Sequence, residues 1–203
     1  DPSDGLKLPK NEKRSHRSIT DEERTHILEV ASYHPSGLWV LLILYTGLRP
    51  GEAAALQWKD IDFDRNEIHV YKAIESGTST IKTPKTPAGI RDIPMRKDLR
   101  QLLWNVRGDP FSLLFPTRKG TIRSPTSVWK LWNSFAKELD LHMGAEEQDG
   151  KIVHHAIAPD LTLYCLRHTF CTDLQRAGVA INIAKELMGH SSIAVTADIY
   201  THR

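Results

Sequence analysis

The chain is poor in features that define whole classes of protein. Cysteine is scarce: among 203 residues only Cys165 and Cys171 occur, and they do not form a Cys-x-x-Cys pair. That excludes a disulfide framework and fits a reducing, cytosolic setting. Long hydrophobic runs are missing. The longest, Leu38 to Tyr45, has 8 residues, far short of the ~20 that a membrane helix needs. No apolar signal region opens the sequence, so neither membrane insertion nor secretion is expected. No His-Glu-x-x-His motif and no zinc-type Cys/His spacing organises the ten histidines, His154-His155 included. A metal-dependent nuclease is therefore disfavoured, and no metal or cofactor is expected.

What is present is ordinary for a globular protein: 40% hydrophobic and 26% charged residues, in a length that suits one large domain or two small ones. The net charge of +2 hides an asymmetry. Lys72 to Lys130 holds 12 Lys and Arg against 4 acids, a local excess of +8, so the remainder sums to −6. A basic middle in a near-neutral chain suits a polyanion, although a solvated face has the same composition.

Residues 1–17 are polar, with Pro2, Gly5, Pro9 and a basic stretch from Lys10 to Arg17, and read as a flexible lead-in. Thr20 followed by Glu23 has the spacing of a capping box and opens a first helix. Leu38–Tyr45 is apolar on all sides and predicts a fully buried helix. Gly47 punctuates, and Arg49-Pro50-Gly51-Glu52 starts the next helix, with Pro50 suited to its first turn and Glu52 to its positive end. Residues 67–71 and 90–94 alternate as neighbouring strands, separated by a Gly/Ser/Thr/Pro-rich loop carrying Lys82 and Lys85. Helices follow at about 97–107 and 124–139. Asp149-Gly150 marks a hairpin within 142–158. Helices over 161–177 and 181–188 end at Gly178 and Gly189, and Ser191-Ser192 caps a last helix bearing Tyr200. The expected fold is mainly α with a small antiparallel β-sheet (α+β).

Three segments carry the chemistry: Thr46-Gly47-Leu48-Arg49-Pro50-Gly51-Glu52, Leu166-Arg167-His168-Thr169-Phe170, and Leu187-Met188-Gly189-His190-Ser191-Ser192, with Tyr200 ten residues after His190. In this order they resemble the catalytic domain of the tyrosine recombinase (phage integrase) family, and in style the integrases of conjugative transposons. The resemblance covers roughly residues 18–203. Lys82-Thr-Pro-Lys85 and Arg91-Asp-Ile-Pro94 match more loosely.

The resemblance implies site-specific DNA cleavage and rejoining through a 3′-phosphotyrosyl intermediate, for integration and excision of a mobile element. Arg49 and Arg167 would grip the non-bridging oxygens of the phosphate with planar guanidinium forks. An ion pair with Asp173 is the competing use of Arg167. Tyr200 would be the nucleophile; a free phenol has a pKa near ~10, so it needs activation or a cationic pocket. His190 would hydrogen-bond the scissile phosphate, and Glu52 and His168 would support the site. Lys85 is the chosen general acid for the leaving 5′-oxygen, with Lys82 the alternative. Lys82, Arg91, Lys119 and Arg123 are expected to contact DNA phosphates.

One residue departs from the family pattern. Where His-x-x-Arg is usual, the chain has Tyr164-Cys165-Leu166-Arg167, which puts histidine base catalysis there in doubt and leaves Tyr164 as a candidate site residue. The family's N-terminal core-binding domain is not expected within this chain, and only three residues follow Tyr200, so a fragment of a longer protein is expected. The expected partners are double-stranded DNA at element ends and target site, a homo-tetramer on DNA in the full-length protein, and an accessory DNA-bending or excision protein. The expected location is a bacterial cytoplasm, at the nucleoid when active. A non-cleaving DNA-binding relative and a type IB topoisomerase-like enzyme are the alternatives.

Overall fold

The computed structural model describes residues 16–75, 78, 80–84 and 86–201. Eight helices and three small antiparallel sheets are found among them. Helix α1 (Asp21–Ala31) begins at the anticipated capping box: the Thr20 side chain accepts from the Glu23 N–H, and the Glu23 carboxylate accepts from the Thr20 N–H. Helix α2 (Gly37–Thr46) is the axis of the molecule. It is apolar all round because α1, α3 (Pro50–Ala55), α4 (Lys97–Asn105) and α6 (Leu163–Arg176) pack around it. Trp39, Val40, Leu42 and Ile43 are sealed from water, each worth roughly 1.5–3 kcal/mol of burial. Helix α5 (Pro125–His142) packs on α1, and α7 (Ile181–Met188) and α8 (Ile193–Thr201) pack on α6 and on each other.

The main sheet has the order β1 (Ile61–Asp62), β2 (Glu67–Val70), β5 (Arg91–Pro94). Ile68 faces Ile93 across the ladder, and both are fully buried, the cross-strand pairing that fixes register. The basic loop is more structured than its composition suggests. Within it β3 (Ala73–Ile74) pairs with β4 (Ile81–Lys82) as a separate ribbon, and β3 rests on α3. The Asp149-Gly150 hairpin is present as β6 (Glu146–Gln148) and β7 (Lys151–His154), with both turn residues at positive φ.

Two of the boundaries that differ from expectation have a clear cause. Helix α5 runs on to His142, because the breaker Gly144 lies beyond it at φ 102°. The lead-in is expected to reach residue 17, and Arg17 itself is held by the fold. Arg17 forks onto Glu23 and reaches Asp160 at 2.8 Å, and the Ile19 N–H donates to Thr169 Oγ1. Residues 1–15 of that segment lie outside the described residues. No helix among the described residues is long and apolar enough to cross a membrane.

Candidate active site

The site is built where helix ends meet. Arg167 lies on the core-facing stripe of α6 with Leu163, Leu166 and Cys171, and only 7% of it is exposed. A guanidinium so placed loses water and needs replacement acceptors. Helix C-termini supply them, since their last carbonyls have no intrahelical partner and carry negative partial charge. Arg167 Nη1 donates to the Gly47 carbonyl past the end of α2, and Nη2 donates to the Met188 carbonyl at the end of α7. Arg49, at the N-cap of α3, donates from Nη2 to the Gly189 carbonyl at 2.9 Å. Arg91, on β5, donates from Nε to the Leu187 carbonyl at 2.7 Å. Thus the end of α7 touches three arginines from three different elements. Gly47 and Gly189 make this possible, both in the left-handed region at φ 62° and 63°. A Cβ on Gly189 would stand 2.7 Å from Arg91 Nη1.

Glu52 binds the cluster together. Its carboxylate accepts from the Arg49 backbone N–H (2.8 Å), Arg49 Nη1 (2.8 Å), Arg91 Nη1 (3.1 Å) and Arg91 Nη2 (2.9 Å). Burial alone would raise its pKa. The hydrogen bonds and charge of Arg91, with the charges of Arg49 and Arg167, outweigh burial and hold it at about 2. Arg167 is shifted the other way: burial first, then repulsion from Arg49 and Arg91, lowers it to about 9 despite Glu52. Three guanidiniums against one carboxylate leave a positive surplus in a poorly solvated place, an arrangement that favours an anion.

His190 follows the α7 cap and is buried, with Nδ1 2.9 Å from Thr196 Oγ1. Burial, then the charges of Arg167, Arg49 and Arg91, lowers its pKa to about 3, so the ring is neutral at pH 7. A cleft of about 150 Å³ opens beside it, lined by His16, Tyr164, Arg167, His168 and His190. A second cleft of about 280 Å³ is lined by Arg49, Glu52, Ile74, Trp129 and Tyr164. Tyr164 belongs to both and is partly exposed. The structure therefore brings Arg49, Glu52, Tyr164, Arg167, His168 and His190 into one neighbourhood. Asp173, the competing partner for Arg167, pairs instead with Arg24 at 2.8 Å.

Other candidates are placed elsewhere. The Tyr200 hydroxyl donates to the Val179 carbonyl at 3.2 Å, and Gln175 Nε2 holds the Tyr200 carbonyl at 2.6 Å. Burial, then Cys171, raises its pKa. Helix α8 contributes Ile199 to the smaller cleft, while Tyr200 lines neither. Lys82 is exposed on β4 and pairs with Glu75 at 2.7 Å. Lys85 lies outside the described residues. Lys119 is exposed. Two expected DNA contacts are engaged within the protein. Arg91 is 8% exposed and its nitrogens are turned onto Glu52 and Leu187, so it supports the cluster from within. Arg123 donates to the Phe115 and Pro116 carbonyls and to Ser127 Oγ, stapling its loop to the start of α5; burial lowers its pKa.

Sequence reasoning missed His16 and Trp129, which line the clefts, and the carbonyls at the end of α7. Nothing local to His16 marks it; Trp129 looks like any aromatic on an amphipathic helix. Among the described residues, two groupings of histidine and carboxylate have metal-compatible spacing, His26/Glu29/His142 and Glu67/His69/Asp92. Neither includes a residue of the arginine cluster.

Residues 17–203 match the model of the phage integrase family. A XerC-like tyrosine recombinase of Caldanaerobacter subterraneus subsp. tengcongensis is 31% identical over 91% of this chain and 50% of that protein. The transposase of transposon Tn916 from Enterococcus faecalis is 28% identical over 91% of this chain and 47% of that protein. The chain thus spans about half the length of these curated relatives. In three dimensions it is similar to a Tn1549 transposon integrase in complex with circular intermediate DNA, with a TM-score of 0.74 at 25% identity, covering 92% of this chain and 63% of that one.

Proposed function

The chain belongs to the phage integrase family, and from that premise we propose that it cuts and rejoins double-stranded DNA at specific sites to integrate and excise a mobile element. The observation that carries this reading is the Arg49–Arg91–Arg167 cluster around a single buried carboxylate, next to a neutral His190. A phosphodiester brings one negative charge to that surplus, and the pentacovalent transition state brings a second, so the cluster binds the transition state more strongly than the ground state. Arg49, 42% exposed at its side chain, meets the phosphate first, and Arg167 and His190 meet it from the smaller cleft. Glu52 and Arg91 hold Arg49 at its angle.

In the reaction the Tyr200 phenol gives up its proton to solvent, its oxygen bonds to phosphorus, the bond to the 5′-oxygen breaks, and that oxygen takes a proton from Lys85. Lys82, on the ribbon that leans on α3, is the alternative donor. The phosphotyrosyl ester conserves the bond, and a 5′-hydroxyl from another strand reverses the step. Tyr200 must first leave the Val179 carbonyl, to attack in its own subunit or in a neighbour. The exposed Lys119 and the basic ribbon would contact backbone phosphates, with strong salt dependence. A homo-tetramer on DNA and an accessory excision protein complete the proposal for the full-length protein.

A non-cleaving DNA-binding relative is the second reading, favoured by Tyr164 in the histidine position and by the remote resting place of Tyr200. A nicked duplex that traps the covalent intermediate separates the two. Incubated with EDTA and run on a denaturing gel, it should give a DNA-shifted protein band that Tyr200→Phe abolishes. No band from the full-length protein would overturn the enzymatic reading.

A further inference from the structure

The residue next to the arginine cluster where the family pattern calls for histidine is Tyr164, yet an imidazole lies against its ring. His16, well removed in sequence, stacks on the Tyr164 ring at 5.1 Å between centroids and 21° between planes. It lines the same small cleft as Arg167 and His190, whose lining includes no acidic residue among those described. The ring is not there by loose drift of a chain end. Immediately after it, Arg17 is tied to Glu23 and Asp160, Ser18 Oγ meets Thr172 Oγ1 at 2.8 Å, and the Ile19 N–H is fixed to Thr169 Oγ1 at 2.9 Å. Three of these partners sit on α6 or its approach, the element that also carries Tyr164 and Arg167. His16 Nδ1 lies 3.4 Å from Thr162 Oγ1, the N-cap residue of that helix. This contact sets the ring's rotation and leaves Nε2 on the other side of the imidazole.

We propose that His16 is a further phosphate-binding residue of this site, supplying from the segment before α1 the imidazole that α6 lacks at Tyr164. The inference rests on the DNA-cleavage reading above. In this arrangement a scissile phosphate in the small cleft is met by Arg167 from below, His190 from the α7–α8 turn, and His16 across Tyr164. His16 donates a hydrogen bond to a non-bridging oxygen that strengthens as charge builds there. No proton transfer is assigned to it. Tyr164 acts as the platform on which the ring is stacked.

The test uses the full-length protein and a nicked duplex made from the DNA adjoining its coding sequence, with covalent adduct formation followed in a single turnover. The wild type is compared with His16→Ala, Tyr164→His and the double variant, with DNA binding and thermal melting measured for each. His16→Ala should slow adduct formation roughly 10²-fold, the cost of one lost transition-state donor, with DNA binding kept. Tyr164→His should restore most of that rate in the double variant, because it puts an imidazole back into the cleft from α6. A purely packing role for His16 would not be repaired this way. If His16→Ala melts below the wild type, His16→Gln with and without Tyr164→His replaces it in the comparison. Adduct formation at the wild-type rate in the His16 variant, or a double variant as slow as the single one, overturns the proposal. A wild type that forms no adduct overturns the cleavage reading itself, which is a separate and recognisable result.

Discussion

Glu52→Gln tests the electrostatic account of the site most directly. The change keeps shape and removes one negative charge from among three guanidiniums. The carboxylate pKa falls from an ordinary 4.5 to about 2 on folding, a difference worth about 3 kcal/mol by linkage. A second route gives a similar figure: removing one partner of a buried ion pair typically costs about 3–5 kcal/mol, because the other charge is left without compensation. For a protein of this size the loss should lower the melting temperature by roughly 6–12 °C. The sign is fixed by the direction of the shift. A depressed carboxylate stabilises the fold above pH 4.5 and loses that contribution as pH falls through 4.5 towards 2. The gap between wild type and variant should therefore be full at pH 7 and close progressively below pH 4.5. Thermal or urea unfolding of both proteins across that range measures it. A gap under about 1 kcal/mol at pH 7, or one that ignores pH, would refute the argument, since both routes require a charge-dependent loss.

Gly189→Ala should destabilise by more than ~1 kcal/mol, because the position combines a left-handed φ with a 2.7 Å approach to Arg91 Nη1; chemical denaturation checks it. His190, held neutral to about pH 3, should cost stability as pH falls below 6.5, at up to about 1.4 kcal/mol per unit. His190→Gln should flatten the unfolding free energy between pH 6.5 and 5, and an unchanged slope would show that the ring titrates freely. Arg49→Ala or Arg167→Ala should reduce adduct formation about 10²–10³-fold while sparing much DNA binding; near-normal adduct yield in either variant contradicts the site. Lys85→Ala should recover activity on a substrate with a bridging 5′-sulfur, a leaving group that needs no proton, and the same recovery confined to Lys82→Ala would move the acid to Lys82.

Much of the fold is legible because its signals are local. The Thr20–Glu23 box, the stops at Gly178 and Gly189 and the all-apolar α2 each follow from a few neighbouring residues. The core of the site is legible only as a pattern of segments; that Arg49 and Arg167 reach adjacent carbonyls, of Gly189 and Met188, at the end of α7 depends on packing far apart in sequence. Arg91 was open to a better reading. It stands two residues from Ile93 on one strand, so strand parity puts it on the buried face, whereas a count of positive charge treats every arginine as surface. Tyr200 and His16 were not open to one. Whether Tyr200 faces the cleft depends on how α8 settles against α6, and the position of His16 depends on ties to Asp160, Thr169 and Thr172.

The carbonyls at the end of α7 also bear on selectivity among anions. Arg91 and Arg167 already donate to protein oxygens, so an incoming ion finds part of each guanidinium fork engaged. For the N–H groups held by Leu187, Met188 and Gly47 it has to trade places, and what it gains there is only the difference between two good sets of hydrogen bonds. A small free anion such as sulfate has little to offer in that exchange. On the proposed reading, a phosphate in a long strand would be held in position by its neighbours and compete from a high local concentration. The proposed site would thereby favour a polymer over the small anions of the cell.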